Sequence, residues 1–390
     1  MIKYDFKTFM NITGTNDCKE KIHKIREKLN KKCDGEIFLD VNKCISKKEL
    51  KRINEISRYV FKNADVFIVV GIGGSYMGSK ALIELFGNKS NVEILFAGYS
   101  LSSEYLANLI DYIKDKRVVI NVISKSGNTI ETNLIFSKLL ESMKNKYSTK
   151  ELSKRIIVTT HNPKGKLMEL GKKNHFTIFK MPDISGRYSI LTVSSLLPIS
   201  ISGININKLI SGYELGDMDK SFIYAVIRDI LYKNDKKIEA FTIYDERLLY
   251  FIEWLKQLFA ETQGKNKKGI LPIGVFNTRD MHSLGQYLND GESFIFSTVI
   301  NIVNNKDVLI KNKSLNKINN IVMLSVAKSL DSPSIIINMD KLTEENIGRL
   351  IYFFMTSAAV GAYLMGVNPY TQDGVSKYKR IIKEEIKCIK

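Results

Sequence analysis

The feature that most constrains the fold is a repeated alternation of short strand-like runs with longer helical patterns. Strand-like runs of Val, Ile and other apolar residues occur at residues 66–70, 92–97, 118–123, 155–160 and 176–180. A second series occurs at residues 240–244, 270–275, 295–303 and 334–338, with helical patterns at 248–260, 283–289 and 343–366. Strands that alternate with helices predict mainly parallel sheets covered on both faces.

The length of 390 residues exceeds what one hydrophobic core usually organises, so two domains are expected. We therefore predict the α/β class, with two tandem α/β/α sandwich domains at residues 51–205 and 206–368. Residues 1–50 are predicted to be an N-terminal helical extension, within a stretch of mixed helix and turn that reaches about residue 60. A turn-rich segment is expected at 211–220, and residues 369–390 form a tail with a charged helix.

The formal net charge of +18 suggests nucleic acid or an anionic membrane as a partner. Lysine greatly outnumbers arginine, however, and surfaces that read bases or clamp phosphates favour arginine forks. The lysines are also spread along the whole chain. We therefore predict no nucleic-acid partner, and expect a diffuse positive field that helps to capture a small anionic substrate.

Three further features favour a cytoplasmic protein. The opening MIKYDFKTFM lacks the continuous apolar core of a signal peptide. The four cysteines form no CxxC pair and have no nearby histidine that could complete a zinc site, which is typical of reduced thiols and predicts no metal site. Residues 350–367 are apolar enough for a membrane span, but a single span in such a chain is better interpreted as a buried helix, so no membrane partner is predicted.

Two turns between a strand and a helix are suited to anion binding. GIGGS at residues 71–75 brings the backbone close to a ligand at a helix N-terminus, although its glycine spacing does not match GxGxxG, and a structural turn is an alternative. SKSGNT at 124–129 supplies three hydroxyls, backbone amides and Lys125. An ordinary N-cap is its alternative. Both turns should open at one edge of a parallel sheet, which favours a phosphate site.

Two further candidates lie in the second half. Gln257 and Glu261 are four residues apart and share one face of a predicted helix, where Glu261 near the C-terminus opposes the helix dipole. This placement suggests a function, although an exposed surface glutamate is the alternative. His282 follows Asp280 at the start of a helical pattern, a setting that can polarise an imidazole.

Six segments in order resemble the glucose-6-phosphate isomerase family, which consists of two sugar-isomerase (SIS) domains. They are VVGIGGSYMGSKAL, VISKSGNTIETN, DISGRYSILTVSSLLP, LKQLFAETQGKNKKGILP, TRDMHSLGQYL and YTQDGVSKYK, and together they span most of the chain, from about residue 66 to about residue 380. The resemblance implies interconversion of glucose 6-phosphate and fructose 6-phosphate through a cis-enediol, in glycolysis and gluconeogenesis, without cofactor or metal.

The resemblance also implies residue roles. Glu261 aligns with the catalytic base, Arg187 with the arginine that stabilises the enediolate, and His282 and Lys379 with the residues that assist ring opening. The histidine of this family comes from the neighbouring subunit, so a homodimer is implied. The implied substrate-binding residues are Gly74, Ser75, Ser124, Lys125, Ser126, Thr129, Gln257 and Gln372.

The sequence departs from the family pattern at Ser185, Thr371 and Ser376, where a glycine and two acidic residues are usual. Three alternatives remain open from the sequence. Another phosphosugar isomerase would keep the phosphate turns, a non-catalytic sensor would not need Glu261, and a nucleotide-dependent dehydrogenase would bind NAD.

Overall fold

The computed structural model describes residues 1–6, 16–30 and 36–388. Over these ranges the chain forms two five-stranded sheets and a short two-stranded hairpin. The strands are β1 (Ile2–Asp5), β2 (Val66–Val70), β3 (Glu93–Ala97), β4 (Val118–Ile123), β5 (Ile156–Thr160), β6 (Thr177–Lys180), β7 (Ile238–Ile243), β8 (Leu271–Phe276), β9 (Ile295–Ile302), β10 (Leu309–Ile310), β11 (Lys313–Ser314) and β12 (Ser334–Met339).

Helices cover both faces of the two large sheets. They are α1 (Asn16–Asn30), α2 (Val41–Cys44), α3 (Lys47–Asn63), α4 (Met77–Phe86), α5 (Ser103–Tyr112), α6 (Ile130–Lys146), α7 (Thr149–Arg155), α8 (Lys166–Lys173), α9 (Val193–Ile201), α10 (Ile206–Glu214), α11 (Met218–Lys233), α12 (Leu249–Gln263), α13 (Gly285–Asp290), α14 (Leu315–Ser329), α15 (Glu344–Leu364) and α16 (Ser376–Lys387). Short 3-10 turns at Gly73–Ser75, Gly186–Leu191, Arg279–His282 and Asp373–Val375 connect some of these elements.

The first sheet has the strand order β3-β2-β4-β5-β6 and is parallel throughout. Every residue of β2, β4 and β5 is buried, because helices cover both faces of these Val- and Ile-rich runs. The sequence pattern located β2 and β4 without error, and the other three strands begin one residue later than predicted. The predicted α/β class with mainly parallel sheets is confirmed.

The second sheet has the order β1-β12-β9-β7-β8. Its last four strands are parallel, whereas β1 pairs antiparallel with β12, with Ile2 opposite Met339. The prediction that the first 60 residues hold only helix and turn was therefore wrong for residues 2–5. A four-residue edge strand with alternating exposure is too short to give a clear period-two signal.

The predicted turn-rich segment at residues 211–220 was also wrong. Helices α10 and α11 occupy most of it and are separated only by residues 215–217. Gly212, within the predicted segment, lies inside α10, where a Cβ would be 2.0 Å from the carbonyl oxygen of Glu345 in α15. This glycine allows two helices to pack closely, a role that sequence alone does not separate from a turn.

Helix α15 corresponds to the apolar stretch that suggested a membrane span. By length and composition it is the one helix of the described ranges that could cross a membrane. Within the protein, 78% of its apolar window is buried, against α10, α11 and α12. It packs as the predicted core helix.

Candidate active site

The two anion-ready turns follow neighbouring strands of the first sheet. GIGGS follows β2 and SKSGNT follows β4, and these strands pair in parallel, with Val70 opposite Val122. A Cβ on Gly71 would lie 3.3 Å from the carbonyl oxygen of Ile123, so the turns are in direct contact at their base. Both therefore open at one carboxyl edge of the sheet, where α/β proteins bind ligands.

The hydroxyl groups of SKSGNT converge within this turn. The Oγ of Ser124 lies 2.8 Å from Oγ1 of Thr129 and 3.5 Å from Oγ of Ser126. The backbone N–H of Gly127 donates to Ser124 Oγ, and that of Asn128 donates to Ser126 Oγ, each at 3.2 Å. Gly127 has a φ of +71°, which permits the tight turn that brings these hydroxyls together. Three neutral donors on one turn suit a phosphate monoester.

The Lys125 side chain forms an ion pair. Its Nζ lies 2.7 Å from Oδ1 of Asp183, and the hydrogen bond from Lys125 lowers the pKa of that carboxyl group. Both side chains are largely exposed. The other lysines near the turn come from elsewhere in the chain.

The 3-10 turn that carries Gly74 and Ser75 packs against the turn that carries Arg187. A Cβ on Gly74 would lie 2.1 Å from the carbonyl carbon and oxygen of Gly186, closer than any side chain permits. Ser189 strengthens the contact, because its Oγ is 2.7 Å from the Gly186 carbonyl oxygen and 3.2 Å from that of Gly74. The backbone N–H of Ser75 completes the local turn by donating to Ile72 at 3.3 Å.

Helix α12 brings Glu261 to this junction between the two sheets. Its apolar side packs into the core through Leu255, Leu258 and Phe259, as the sequence pattern predicted. Glu261 and Gln257 lie on the opposite side, and Gln257 Nε2 donates to Glu261 Oε1 at 3.1 Å. The same amide nitrogen is 3.2 Å from the Cβ position of Gly73, so α12 contacts the GIGGS turn directly.

Arg187 is fully buried and binds the carboxylate from the other side. Its Nη1 donates to Glu261 Oε2 at 3.2 Å, and its Nη2 donates to the carbonyl oxygens of Pro369 and Thr371 at 2.6 and 3.0 Å. Glu261 retains 25% side-chain exposure, which leaves room for a substrate to reach it. The site thus holds an accessible carboxylate next to a fixed, buried positive charge.

Arg187 also holds the start of the C-terminal tail in place. Ser185 Oγ donates to the carbonyl oxygen of Tyr370 at 2.9 Å, so the serine found where the family has glycine adds a contact rather than a clash. Thr371, another departure from the family pattern, contributes its main-chain carbonyl to Arg187. Gln372 follows at the beginning of the turn Asp373–Val375 and is exposed.

The tail helix α16 then lies beside SKSGNT and encloses a cavity of about 580 Å³. Ser126 and Thr129 line one side of this cavity, and Lys379 lines the other. Lys166 and Lys383 line it as well, with Glu131 as the acidic residue of the lining. The structure therefore brings the predicted Lys379 together with the predicted phosphate turn, in a cavity with a net positive charge.

His282 lies far from Glu261 within one chain. Helix α12 packs against β8, because a Cβ on Gly274 of β8 would lie 2.9 Å from the Ile252 side chain. Glu261 is nine residues after Ile252, which corresponds to about 13 Å along the helix axis, in the direction of the beginning of β8. The exposed His282 follows the other end of β8. Intrachain geometry therefore does not bring these two residues into one site.

Lys265, which sequence reasoning did not select, lies next to the carboxylate. Burial, together with the nearby positive charge of Arg187, lowers the pKa of its ammonium group to about 8, although Asp373 and Glu261 oppose the shift. Its Nζ donates to the carbonyl oxygen of Asn368. The only sequence signal was its place in the QGK motif after α12. Among the described residues, no group of three or more His, Cys, Asp or Glu side chains is arranged to hold a metal ion.

Comparison with known proteins gives matches over most of the chain. Residues 40–327 match the model of the family described as phosphoglucose isomerase. A glucose-6-phosphate isomerase of Fusobacterium nucleatum is 39% identical over 95% of this chain and 92% of its own length.

Two crystal structures share the fold. A hypothetical protein of Thermus thermophilus gives a TM-score of 0.87 at 21% identity over 99% of this chain and 100% of its own. A glucose-6-phosphate isomerase of Chlamydia trachomatis gives 0.78 at 20% identity, over 88% of this chain and 74% of its own.

Proposed function

This chain belongs to the phosphoglucose isomerase family, and we propose that it interconverts glucose 6-phosphate and fructose 6-phosphate. The position of the Glu261 carboxylate supports a proton-transfer reaction on a phosphosugar. The accessible carboxylate of Glu261 lies between Gln257 and the buried Arg187, whose neighbourhood contacts the GIGGS turn, and that turn contacts the base of SKSGNT.

Glu261 acts as the base that moves a proton between adjacent carbons. It removes the proton from C2 of the open-chain aldose, which gives a cis-enediol, and returns it to C1 of the ketose. One carboxylate performs both transfers, because its proton remains within reach of both carbons. General base catalysis of this kind contributes about 10²–10⁴-fold.

Arg187 stabilises the negative charge that develops on the enediolate oxygen. Its guanidinium is fixed by two main-chain carbonyls and by Glu261, so little reorganisation is needed when that charge appears. Gln257 orients the carboxylate through its amide N–H. Gly74 allows the close approach of turns that keeps these groups together.

The turn 124–129 holds the phosphate through Ser124, Ser126 and Thr129, at a distance from the reacting carbons. Ser75 and Gln372 extend this binding surface, and Lys125 contributes charge at its rim. Lys379, across the cavity from the turn, assists ring opening. Binding the distant anionic end positions the reacting carbons and reduces the entropic part of the barrier.

His282 completes the ring-opening pair from a second copy of the chain. The two ends of β8 separate it from Glu261 in its own subunit, so a symmetric homodimer is the arrangement that supplies a histidine to each site. We assign residues 51–205 to phosphate binding, 206–368 to the base and the histidine, and 369–390 to Lys379. The enzyme works in the cytoplasm, in glycolysis and gluconeogenesis.

A coupled assay for fructose 6-phosphate isomerisation, with a chelator present, tests this proposal. We expect activity in the wild type and a loss of about 10²–10⁴-fold in kcat for Glu261→Gln, with binding of fructose 6-phosphate retained in calorimetry. Glu253→Gln is the matched control, because Glu253 lies on the same helix and pairs with the exposed Lys256. Near-normal turnover of Glu261→Gln would exclude Glu261 as the base.

The shared site is tested by complementation. The variants Glu261→Gln and His282→Ala are each expected to be inactive, whereas their co-expression restores about a quarter of the sites if subunits pair at random. An absence of recovery, with mixed dimers verified by mass spectrometry, would contradict the contribution of His282 from the second subunit.

A further inference from the structure

The two large sheets share one strand connectivity. In the first sheet, β2 lies between β3 and β4, and in the second, β7 lies between β8 and β9. In each sheet the second strand in chain order is added on one side of the first strand, and the third strand is added on its other side. A crevice forms outside the carboxyl ends of the strands at this reversal, and it is where such sheets bind ligands. The phosphate turn occupies the reversal of the first sheet.

A cavity of about 610 Å³ lies at the corresponding reversal of the second sheet. Residues that follow β7, β8 and β9 line it, together with the beginning of α14. Its volume falls in the range of about 300–1,000 Å³ found for small-molecule sites. It adjoins the N-terminal end of α12, whereas Glu261 lies near the C-terminal end, so it is separate from the Glu261 carboxylate of the same chain.

One buried amide in this cavity lacks a hydrogen-bond partner. Asn277 is only 4% exposed, and its Nδ2 donates to the hydroxyl of Tyr244 at 2.9 Å. Its Oδ1 has no partner within the described part of the chain. Leaving such an acceptor unpaired costs about 1–3 kcal/mol, so the position is suited to a ligand that brings a hydrogen-bond donor.

The other polar groups of the cavity are held in fixed positions. Arg247 forms two hydrogen bonds to Asp245, at 2.9 and 2.6 Å, and a third to Oδ1 of Asn305 at 2.8 Å. The Nδ2 of Asn319 donates to the carbonyl oxygen of Tyr244 at 3.1 Å, which fixes a further amide in the lining. These side chains offer both donors and acceptors without further reorganisation.

The charge of this cavity differs from that of the first. Arg247 and Lys306 are balanced by Asp245 and Glu246, so the lining is neutral overall, whereas three lysines face one glutamate in the cavity beside SKSGNT. A phosphate dianion gains little from a balanced lining. Phe276 supplies an apolar surface for C–H groups.

We propose that this second cavity binds an uncharged polyhydroxy compound of the size of a hexose or hexitol. Its hydroxyl groups donate to Asn277 Oδ1 and to the amides and carboxylates of the lining, and they accept from the Arg247 guanidinium. The proposal does not depend on the isomerase activity.

Sorbitol is the direct probe, because it is uncharged and has no carbonyl to isomerise. The full chain is saturated with the equilibrium mixture of glucose 6-phosphate and fructose 6-phosphate, so that the first site is filled, and sorbitol is titrated by saturation-transfer NMR. We expect sorbitol binding that weakens at least tenfold in Asn277→Leu and in Asn319→Ala. Asn304→Ala should bind as the wild type, because Asn304 lies next to Asn305 but outside the cavity lining.

The outcomes distinguish the possibilities. Absence of sorbitol binding to the wild type, or binding that is unchanged in both cavity variants, overturns the proposal. If sorbitol binding is lost in Ser124→Ala but kept in the cavity variants, sorbitol binds at the phosphate turn of the active site, and the proposal is also overturned. If Asn277→Leu fails to fold, Asn319→Ala decides, because Asn319 is only partly buried.

Discussion

The substitution Gly74→Ala tests whether the close approach of two turns sets the active-site geometry. The added Cβ would lie 2.1 Å from the Gly186 carbonyl group, whereas carbon atoms in contact are about 3.5 Å apart. The neighbouring atoms are backbone, so a side-chain rotation cannot relieve the clash. The turns must therefore separate by about 1.4 Å, and Arg187 moves with its turn.

Such a displacement should affect activity more than stability. A misplacement of about 1 Å can cost 10²-fold in rate, and overpacking typically costs about 1–3 kcal/mol of unfolding free energy. We therefore expect Gly74→Ala to lower kcat/KM for fructose 6-phosphate by about 10²-fold or more. The coupled assay measures the rate, and urea unfolding followed by circular dichroism measures the stability.

Gly186→Ala is the matched control on the other side of the same contact. Its Cβ would lie 3.3 Å from the nearest atom, Cα of Gly74, so the neighbours must move only a few tenths of an ångström. We expect less than about 1.5 kcal/mol of destabilisation and a small loss of activity. If both variants have wild-type rates, or if the Gly186 variant is the worse of the two, the reasoning is refuted.

Three other predictions follow from buried or hydrogen-bonded groups. Ser124→Ala should raise KM for glucose 6-phosphate about 10–100-fold, since a hydrogen bond to a charged group contributes about 1.5–3 kcal/mol; an unchanged KM in the coupled assay would contradict this. Lys265 loses its charge as the pH rises through about 8, so kcat/KM should fall in that range. Lys265→Arg stays charged and should move the fall in kcat/KM to higher pH, whereas identical pH–rate profiles would exclude a role for Lys265. Glu239→Gln should lower the free energy of unfolding by about 3–5 kcal/mol in urea, because it leaves the buried Arg228, 2.8 Å away, without its counterion; a shift below about 1 kcal/mol would contradict this.

The core strands were predictable because their sequence signal is local. Short continuous runs of Val and Ile, such as residues 66–70 and 118–123, are typical of strands that are buried on both faces of a parallel sheet. Residues 2–5 were not predictable, since their assignment depends on β12, which lies more than 300 residues further along the chain. The helices at residues 211–220 were missed for a similar reason, because Gly212 is explained by its contact with the backbone of α15.

In the candidate site, too, features set by local sequence were predictable and features set by distant residues were not. Hydroxyls and glycines at strand ends identified SKSGNT and GIGGS, because the conformation and the binding groups of a turn depend on residues that are adjacent in the sequence. The contact of Arg187 with Glu261 joins two positions 74 residues apart, and only the family resemblance suggested their common site. Lys265 was missed because its lowered pKa arises from burial and from Arg187, neither of which leaves a trace in the local sequence.

The antiparallel pairing of β1 with β12 has a consequence for biosynthesis. Residues 2–5 are translated more than 300 residues before their partner strand at residues 334–339. At about 5–20 residues per second, the nascent chain waits roughly 17–70 seconds before this edge of the sheet can close. Until then the first sheet can be completed, whereas the second lacks β12 and its pairing with β1. A molecular chaperone that shields exposed strand edges would act mainly in that interval.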